Sequence, residues 1–183
     1  MSLKHGLLGL LSYGSMTGYE LDKTFKDSLF LFWKAQTSQI YRELNRMEQS
    51  GWLTSEIVYQ TDKPNKKLYS LTEPGKKELH DWLSENNLDN EFQTRSTFLM
   101  KLFFSGEKSV GDNIEMLKEY KVRCLEELNA LKTVGGSIEH YSQFTSQNRE
   151  PVYWGLTARF GELHIKACLE FAEEAIRTLE KLQ

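Results

Sequence analysis

The sequence Gln36-Thr37-Ser38-Gln39-Ile40-Tyr41-Arg42-Glu43-Leu44-Asn45-Arg46-Met47-Glu48-Gln49-Ser50-Gly51 is followed, after a polar interval, by Lys66-Lys67-Leu68-Tyr69-Ser70-Leu71-Thr72-Glu73-Pro74-Gly75. In the first segment Ile40, Leu44 and Met47 recur at helical spacing, so they share one face. Thr37 or Ser38 is expected to cap this helix, and Ser50-Gly51 to stop it, because glycine accepts the left-handed conformation of a helix end. Gln39, Arg42 and Arg46 fall together on a different face. Residues 56–60 and 67–71 read as two strands, joined by the turn Thr61-Asp62-Lys63-Pro64-Asn65-Lys66. A helix with a basic polar face followed by a lysine-bearing hairpin is the layout of a winged helix-turn-helix. One helix of such a fold enters a DNA groove and the hairpin grips the neighbouring backbone.

The flanking sequence completes that unit. Leu7, Leu8, Leu10 and Leu11 suit a short first helix, broken at Gly14-Ser15. Thr17-Gly18-Tyr19-Glu20 is a capping box for a second helix that buries Leu21, Phe25 and Leu29, with Phe30, Phe32 and Trp33 extending the apolar surface into the turn. Trp52 and Leu53 return the chain to the core. Thr72 caps a fourth helix that tolerates Pro74 in its first turn and has Leu79, Trp82 and Leu83 as its apolar side.

Beyond a boundary expected at residues 86–90, the chain reads as helical. A short apolar helix is expected over 92–104, ending near Gly106. Ile114, Leu117, Cys124, Leu128 and Leu131 form a stripe interrupted by Lys121, with Gly135-Gly136 as a bend or break. The last helix, from about Pro151, carries Leu156, Phe160, Leu163, Ala167, Phe171, Ala175, Leu179 and Leu182 on one face; Glu162–Lys166, Lys166–Glu170 and Glu173–Arg177 are expected ion pairs on its wet side. That apolar stripe exceeds what a small domain covers, so a second copy of the chain is expected to pack on it. The expected fold is mainly α with a small β-hairpin. Residues 1–85 form a winged helix-turn-helix DNA-binding domain and residues 91–183 a helical dimerisation and regulatory domain.

Composition sets the limits. With 39% hydrophobic and 27% charged residues, the 183-residue chain is neither disordered nor membrane-embedded, and no apolar run reaches bilayer length. A cytoplasmic protein is expected, because the Leu7–Leu11 run lacks the form of a signal peptide. The net charge of −3 is unevenly placed: residues 34–77 hold 8 Lys and Arg against 5 Asp and Glu, whereas residues 84–183 hold 12 against 16. Cys124 and Cys168 are far apart and read as packing residues, not a disulfide framework. His5, His80, His140 and His164 lack ligand spacing, so neither metal nor cofactor is expected. Motifs of nucleotide-binding, hydrolase and metalloprotease sites are missing. Ser105-Gly106-Glu107-Lys108 matches SxxK only by chance, without its partner motifs. No catalytic residue and no enzymatic activity is expected.

The chain resembles the PadR family of bacterial transcription regulators. The residues that carry the resemblance are Gly18-Tyr19-Glu20-Leu21, Ile40-Tyr41-Arg42-Glu43-Leu44, Gly51-Trp52-Leu53 and Lys67-Leu68-Tyr69-Ser70-Leu71-Thr72 with Gly75. Tyr153-Trp154-Gly155-Leu156-Thr157 with Arg159-Phe160-Gly161 is similar to the virulence-activator-type C-terminal domain of longer members. Two departures occur: Lys67-Leu68-Tyr69-Ser70 replaces the usual Arg-Lys-Tyr-Tyr pattern, and the wing tip lacks the common glycine. The resemblance implies a homodimer on a pseudo-palindromic operator, usually as a repressor relieved by a small molecule or a stress signal.

Candidate DNA contacts follow from side-chain chemistry. Arg42 and Arg46 suit guanine edges or phosphates, although ion pairs on a solvated face would show the same pattern. Gln39 suits an adenine edge, with Gln36 and Ser38 beside it at the helix start. Lys63, Lys66 and Lys67 suit phosphates, as point charges with little base discrimination. Tyr19 and Tyr41 suit phosphates through their hydroxyls, or packing; Trp52 and Tyr69 are expected in the core. Trp33, Phe98, Tyr153 and Trp154, with Phe160, are candidates for a small apolar or aromatic effector, or for core and interface packing. The competing reading is a helical protein-interaction module that keeps a winged-helix fold without reading DNA.

Overall fold

A computed structural model describes residues 3–29, 32–59, 61, 65–85, 96–132 and 149–183, with positions 136, 138 and 142. The chain divides into two compact units, Met1–Asn87 and Leu88–Gln143 with Gln147–Gln183. The boundary expected at 86–90 and the bend at Gly135 lie outside the described residues, as do Phe30 and Lys63.

The first unit runs α1 (Leu3–Leu11), β1 (Met16–Thr17), α2 (Gly18–Ser28), α3 (Thr37–Gln49), β2 (Leu53–Val58), β3 (Lys66–Leu71) and α4 (Glu73–Ser84). Helix α1 is apolar on nearly every side because it is the centre of the unit: it packs against α2, α3 and α4, and its Leu7, Leu8, Leu10 and Leu11 are buried. Leu21 and Phe25 of α2, and Ile40, Leu44 and Met47 of α3, close around it with no exposed surface. The capping box holds as read: Thr17 N–H donates to Glu20 Oε2 at 2.8 Å, and Glu20 N–H donates to Thr17 Oγ1 at 3.3 Å. These bonds satisfy donors a helix start leaves unpaired.

Helix α3 ends in a Schellman motif. Gly51 sits at φ +74°, Trp52 N–H donates to Met47 O, and Gly51 N–H donates to Glu48 O. This reversal aims Leu53 into the core, where it pairs with Leu71, so β2 begins at Leu53 and ends at Val58 instead of spanning 56–60. The sheet is antiparallel with order β1-β3-β2. The sequence shows no sign of β1, which exists because Met16 and Thr17 pair with Tyr69 and Leu68.

Three further expectations are corrected. The N-cap of α3 is Gln36, because Gln39 Oε1 accepts the Gln36 N–H at 2.8 Å while Thr37 Oγ1 accepts from Lys26 Nζ at 2.7 Å, tying α3 to α2. Leu83 is exposed and lies off the buried side of α4. Phe32 and Trp33 are also exposed, since α2 ends at Ser28.

The second unit comprises α5 (Thr97–Phe103), a 3-10 turn at Ser105–Glu107, α6 (Val110–Leu131) and α7 (Glu150–Glu180). Ser96 caps α5, later than the expected start at 92; residues 92–95 lie outside the described residues. Asn113 of α6 donates to Ser105 O at 2.7 Å and ties the 3-10 turn to the helix. Helix α6 packs along α7, burying Ile114, Leu117 and Cys124 on one side and Gly161, Ile165 and Ala172 on the other. Lys121 interrupts the apolar stripe because its ammonium pairs with Glu173 of α7 at 2.8 Å. Glu173 makes its direct ion pair with Lys121, and Arg177 acts on the same carboxylate only through its charge. Lys166 pairs with Glu162 as expected, and Arg159 joins the same carboxylate.

The long stripe of α7 splits. Ala175 and Leu179 are half-buried, whereas Leu156, Phe160, Leu163, Ala167 and Phe171 are exposed. The face that meets α6 is rotated from theirs and runs through the small residues Gly161 and Ala172, which let the two helices approach.

Candidate nucleic-acid interface

Because Ile40, Leu44 and Met47 are fully buried, the helical period forces Ser38, Gln39, Arg42 and Arg46 outward, and all four are exposed. Arg46 is loosely paired with Glu43 at 3.6 Å and its side chain keeps 66% exposure, so the guanidinium remains available to a ligand. Gln39 commits its carbonyl oxygen to the Gln36 N–H. Pairing both amide groups with an adenine edge would require releasing that bond.

Tyr41 lies across the start of α2. A Cβ on Gly18 would sit 2.7 Å from its ring, so the missing side chain makes room for it. Tyr41 is partly exposed and Tyr19, in the first turn of α2, is 72% exposed. Gln36 is exposed as well.

On the hairpin, Lys66 is exposed and Lys63 lies outside the described residues. Lys67 is differently placed. Its Nζ donates to Glu48 Oε2 at 2.6 Å and sits 5.2 Å from the centre of the Tyr69 ring. Ser55 Oγ donates to the other oxygen of Glu48. The bond from Lys67, then that from Ser55, holds the Glu48 carboxyl below its usual range, and the same Glu48 bond raises Lys67. The sequence placed Lys67 among the phosphate ligands and offered Glu48 only as an ion-pair neighbour of Arg42, with Ser55 given no role. The pairing spans 19 residues, and no local pattern announces it.

Thr72 and Gly75 fix the end of the hairpin. Thr72 N–H donates to Trp52 O at 3.1 Å, Thr72 Oγ1 donates to Gly51 O at 2.7 Å, and Gly75 N–H donates back to Thr72 Oγ1 at 3.2 Å. The end of α3, the strands and the start of α4 are thus knotted at one point. Tyr69 is buried there, and burial pushes its phenol up; Trp52 is half-buried beneath Lys4, whose Nζ lies 4.5 Å from its ring.

Of the residues considered for an effector, Trp33 belongs to the first unit and the others to the second. Phe98 stacks on Tyr120 with centroids 4.0 Å apart, Trp154 is half-buried, and Tyr153 and Phe160 are exposed. A cavity of about 820 Å³ in the second unit is lined instead by Met100, Phe104 and Met116 with charged residues of α5 and α6. Among the described residues, no three His, Cys, Asp or Glu side chains gather as a metal site, and no helix is long and apolar enough to cross a membrane.

The sequence model of the transcriptional regulator PadR-like family matches residues 7–81, and that of the virulence activator alpha C-terminal domain matches residues 94–180. The negative transcriptional regulator PadR of Bacillus subtilis is 41% identical over 137 residues, 75% of this chain and 73% of that protein. The chain belongs to the PadR-like family. It is a transcriptional regulator and not an enzyme. Its PadR-like winged-helix unit and helical second unit superpose on B. subtilis PadR solved in complex with operator DNA, with a TM-score of 0.80 and 30% identity over 98% of this chain and 99% of the other. PadR from the same organism in complex with p-coumaric acid gives a TM-score of 0.72 at 28% identity, again over 98% and 99% of the two chains.

Proposed function

We propose that this PadR-like regulator acts in the cytoplasm as a homodimeric repressor of a pseudo-palindromic operator. Helix α3 enters the major groove and the β2–β3 wing lies on the adjacent backbone. The observation that carries this reading is the division of α3: its apolar face is fully buried, while Ser38, Gln39, Arg42 and Arg46 project beside a hairpin bearing exposed Lys66. In this reading Arg42 and Arg46 contact bases or phosphates. Gln36, Ser38 and Gln39 lie at the helix start, Tyr19 and Tyr41 reach phosphates, and Lys63 and Lys66 hold the backbone. That the Bacillus PadR was solved in complex with operator DNA supports DNA as the ligand of this surface.

The exposed apolar residues of the second unit support dimerisation. Leu156, Phe160, Leu163 and Phe171 of α7, and Leu99, Met100 and Phe103 of α5, are 40–83% exposed in the single chain. Ala167, with Ala175 and Leu179, continues the same face. Exposed apolar side chains in this number suit an interface, and a two-fold dimer would present two α3 helices to two half-sites. A small apolar or aromatic effector, with Trp33, Phe98, Tyr153 and Trp154 as candidate contacts, is proposed to relieve repression; the Bacillus PadR complex with p-coumaric acid favours a ligand of this kind.

The test is DNase footprinting and fluorescence anisotropy on DNA flanking the chain's own gene. Wild-type protein should protect one palindromic site, and Arg46→Ala should weaken it by about 1–3 kcal/mol, roughly 5- to 150-fold, with less effect on scrambled DNA. Equal affinity for operator and scrambled DNA would defeat the reading.

A further inference from the structure

We propose that Glu48 is a positioning residue that clasps the wing to the recognition helix, and that Lys67 serves this clasp instead of holding a phosphate. The inference rests on the DNA-reading function proposed above and names two residues which set its geometry. Glu48 lies in the last turn of α3, and its two carboxylate oxygens accept from different strands: Ser55 of β2 and Lys67 of β3. Ser55 pairs directly with Tyr69, and Lys67 lies two residues before Tyr69, so all three side chains share one face of the sheet. That face meets α3.

The clasp matters because of where the third strand ends. Strand β1 pairs only with Leu68 and Tyr69, so the outer part of the hairpin, Glu56–Val58 against Lys66–Leu68, is largely a two-stranded ribbon. Such a ribbon holds a fixed angle poorly on its own. Glu48 joins it to α3 through the bond from Lys67, while the bond from Ser55, one residue before the ribbon, holds the same carboxylate in place. The helix that reads bases and the wing that holds phosphates therefore move as one body, and the distance between their contacts is set by this carboxylate.

Lys67 is also poorly suited to a phosphate while the clasp stands. A phosphate on Lys67 would have to share the cation with Glu48 and lie beside that carboxylate, whose charge repels it. Lys66, next in sequence, is exposed, and its neighbouring carboxylate, Glu20, feels it only through its charge.

The experiment measures full-length protein on operator and on scrambled DNA across a salt series. Lys67→Ala should leave the slope of log affinity against log salt unchanged, whereas Lys66→Ala should reduce it by about 1.8, the contribution of one phosphate contact from each copy of the proposed dimer. Glu48→Gln and Lys67→Ala should each lower the operator-to-scrambled ratio by about 2- to 30-fold, the range for residues that act without touching the ligand. The double variant should be no worse than either single one. Exchanging the pair, Glu48→Lys with Lys67→Glu, should recover part of the ratio. A slope that flattens in Lys67→Ala, or a ratio unmoved by Glu48→Gln in protein shown to be folded by urea unfolding, would overturn the proposal. Wild-type protein that fails to discriminate operator would instead refute the DNA-reading function on which it rests.

Discussion

Replacing Gly75 by Ala tests how tightly the hairpin is knotted to α4. A Cβ at this position would lie 2.2 Å from Trp52 O and 2.8 Å from Leu71 Cδ1. The first distance is roughly 1 Å shorter than the 3.3 Å of a close C–H···O contact. The obstacle is backbone, so no rotamer change relieves it. Trp52 O also accepts the Thr72 N–H, and moving it away weakens that bond. Overpacking of this kind costs about 1–3 kcal/mol, and leaving the half-buried Thr72 N–H unpaired adds at most about 1–3 kcal/mol. Ala is the better helix former by about 1 kcal/mol, which offsets part of the loss. The net expectation is a destabilisation of about 1–5 kcal/mol by these terms.

Gly9 supplies the control within the same unit. It lies inside α1, and nothing comes within 4 Å of a Cβ placed there. Gly9→Ala should stabilise by about 0.5–1 kcal/mol through helix propensity alone. Urea unfolding followed by tryptophan fluorescence of Trp52 and Trp82 reads the first unit, with the midpoint as the measure. A Gly75→Ala midpoint equal to or above that of wild type would refute the packing argument, since propensity would then be the only force acting.

Acid should weaken the first unit through His5, which is buried, stacked on Trp82 at 4.4 Å and bonded to Glu78 at 3.1 Å. Burial lowers its pKa from 6.5 despite Glu78, so the unfolded chain binds the proton first. Stability is complete above pH 6.5 and falls as pH drops through the folded-state value. His5→Phe should flatten melting temperature between pH 6.5 and the onset of carboxylate titration near 4.5, and an unaltered profile would count against it. Lys121→Met should change the stability of the second unit by less than about 1 kcal/mol, because a half-exposed ion pair contributes about 0–1 kcal/mol and Met extends the apolar stripe; a loss above about 2 kcal/mol would show the pair to be structural. Phe160→Glu, at a side chain 69% exposed in the single chain, should give monomers in sedimentation, and an intact dimer would move the interface elsewhere.

The elements legible in the sequence were those set by neighbours along the chain. The stripe Ile40, Leu44 and Met47, the Thr17–Glu20 box and the Thr72 cap each rest on spacings of three or four residues, and each appears as read. What escaped was set across the fold. Strand β1 is two residues long and exists through Tyr69 and Leu68. Gln36 displaced the better-looking cap Thr37 because Lys26 and Asp22, on another helix, engage the threonine hydroxyl. In α7, hydropathy showed that one face is apolar but not which neighbour covers it. Helix α6 took the adjacent face of small residues and left Leu156 and Phe160 outside.

The same distinction governs the candidate interface. Residues 34–77 hold an excess of positive charge, yet much of it is already matched within the fold: Lys67 pairs with Glu48 at 2.6 Å, Lys76 with Glu73 and Lys77 with Asp81 at 2.5 Å, and Arg46 loosely with Glu43. A single unit therefore offers DNA few cations, and each phosphate it neutralises adds only about 0.9 to the salt slope. Doubling the unit doubles that number without altering any one contact, and the second half-site binds at the effective concentration set by the first. The unbalanced features of the two units then explain each other. In the dimer proposed above, a second copy would supply the cations that one reading unit lacks and would cover the apolar face at Leu156, Phe160 and Leu163 of the second unit.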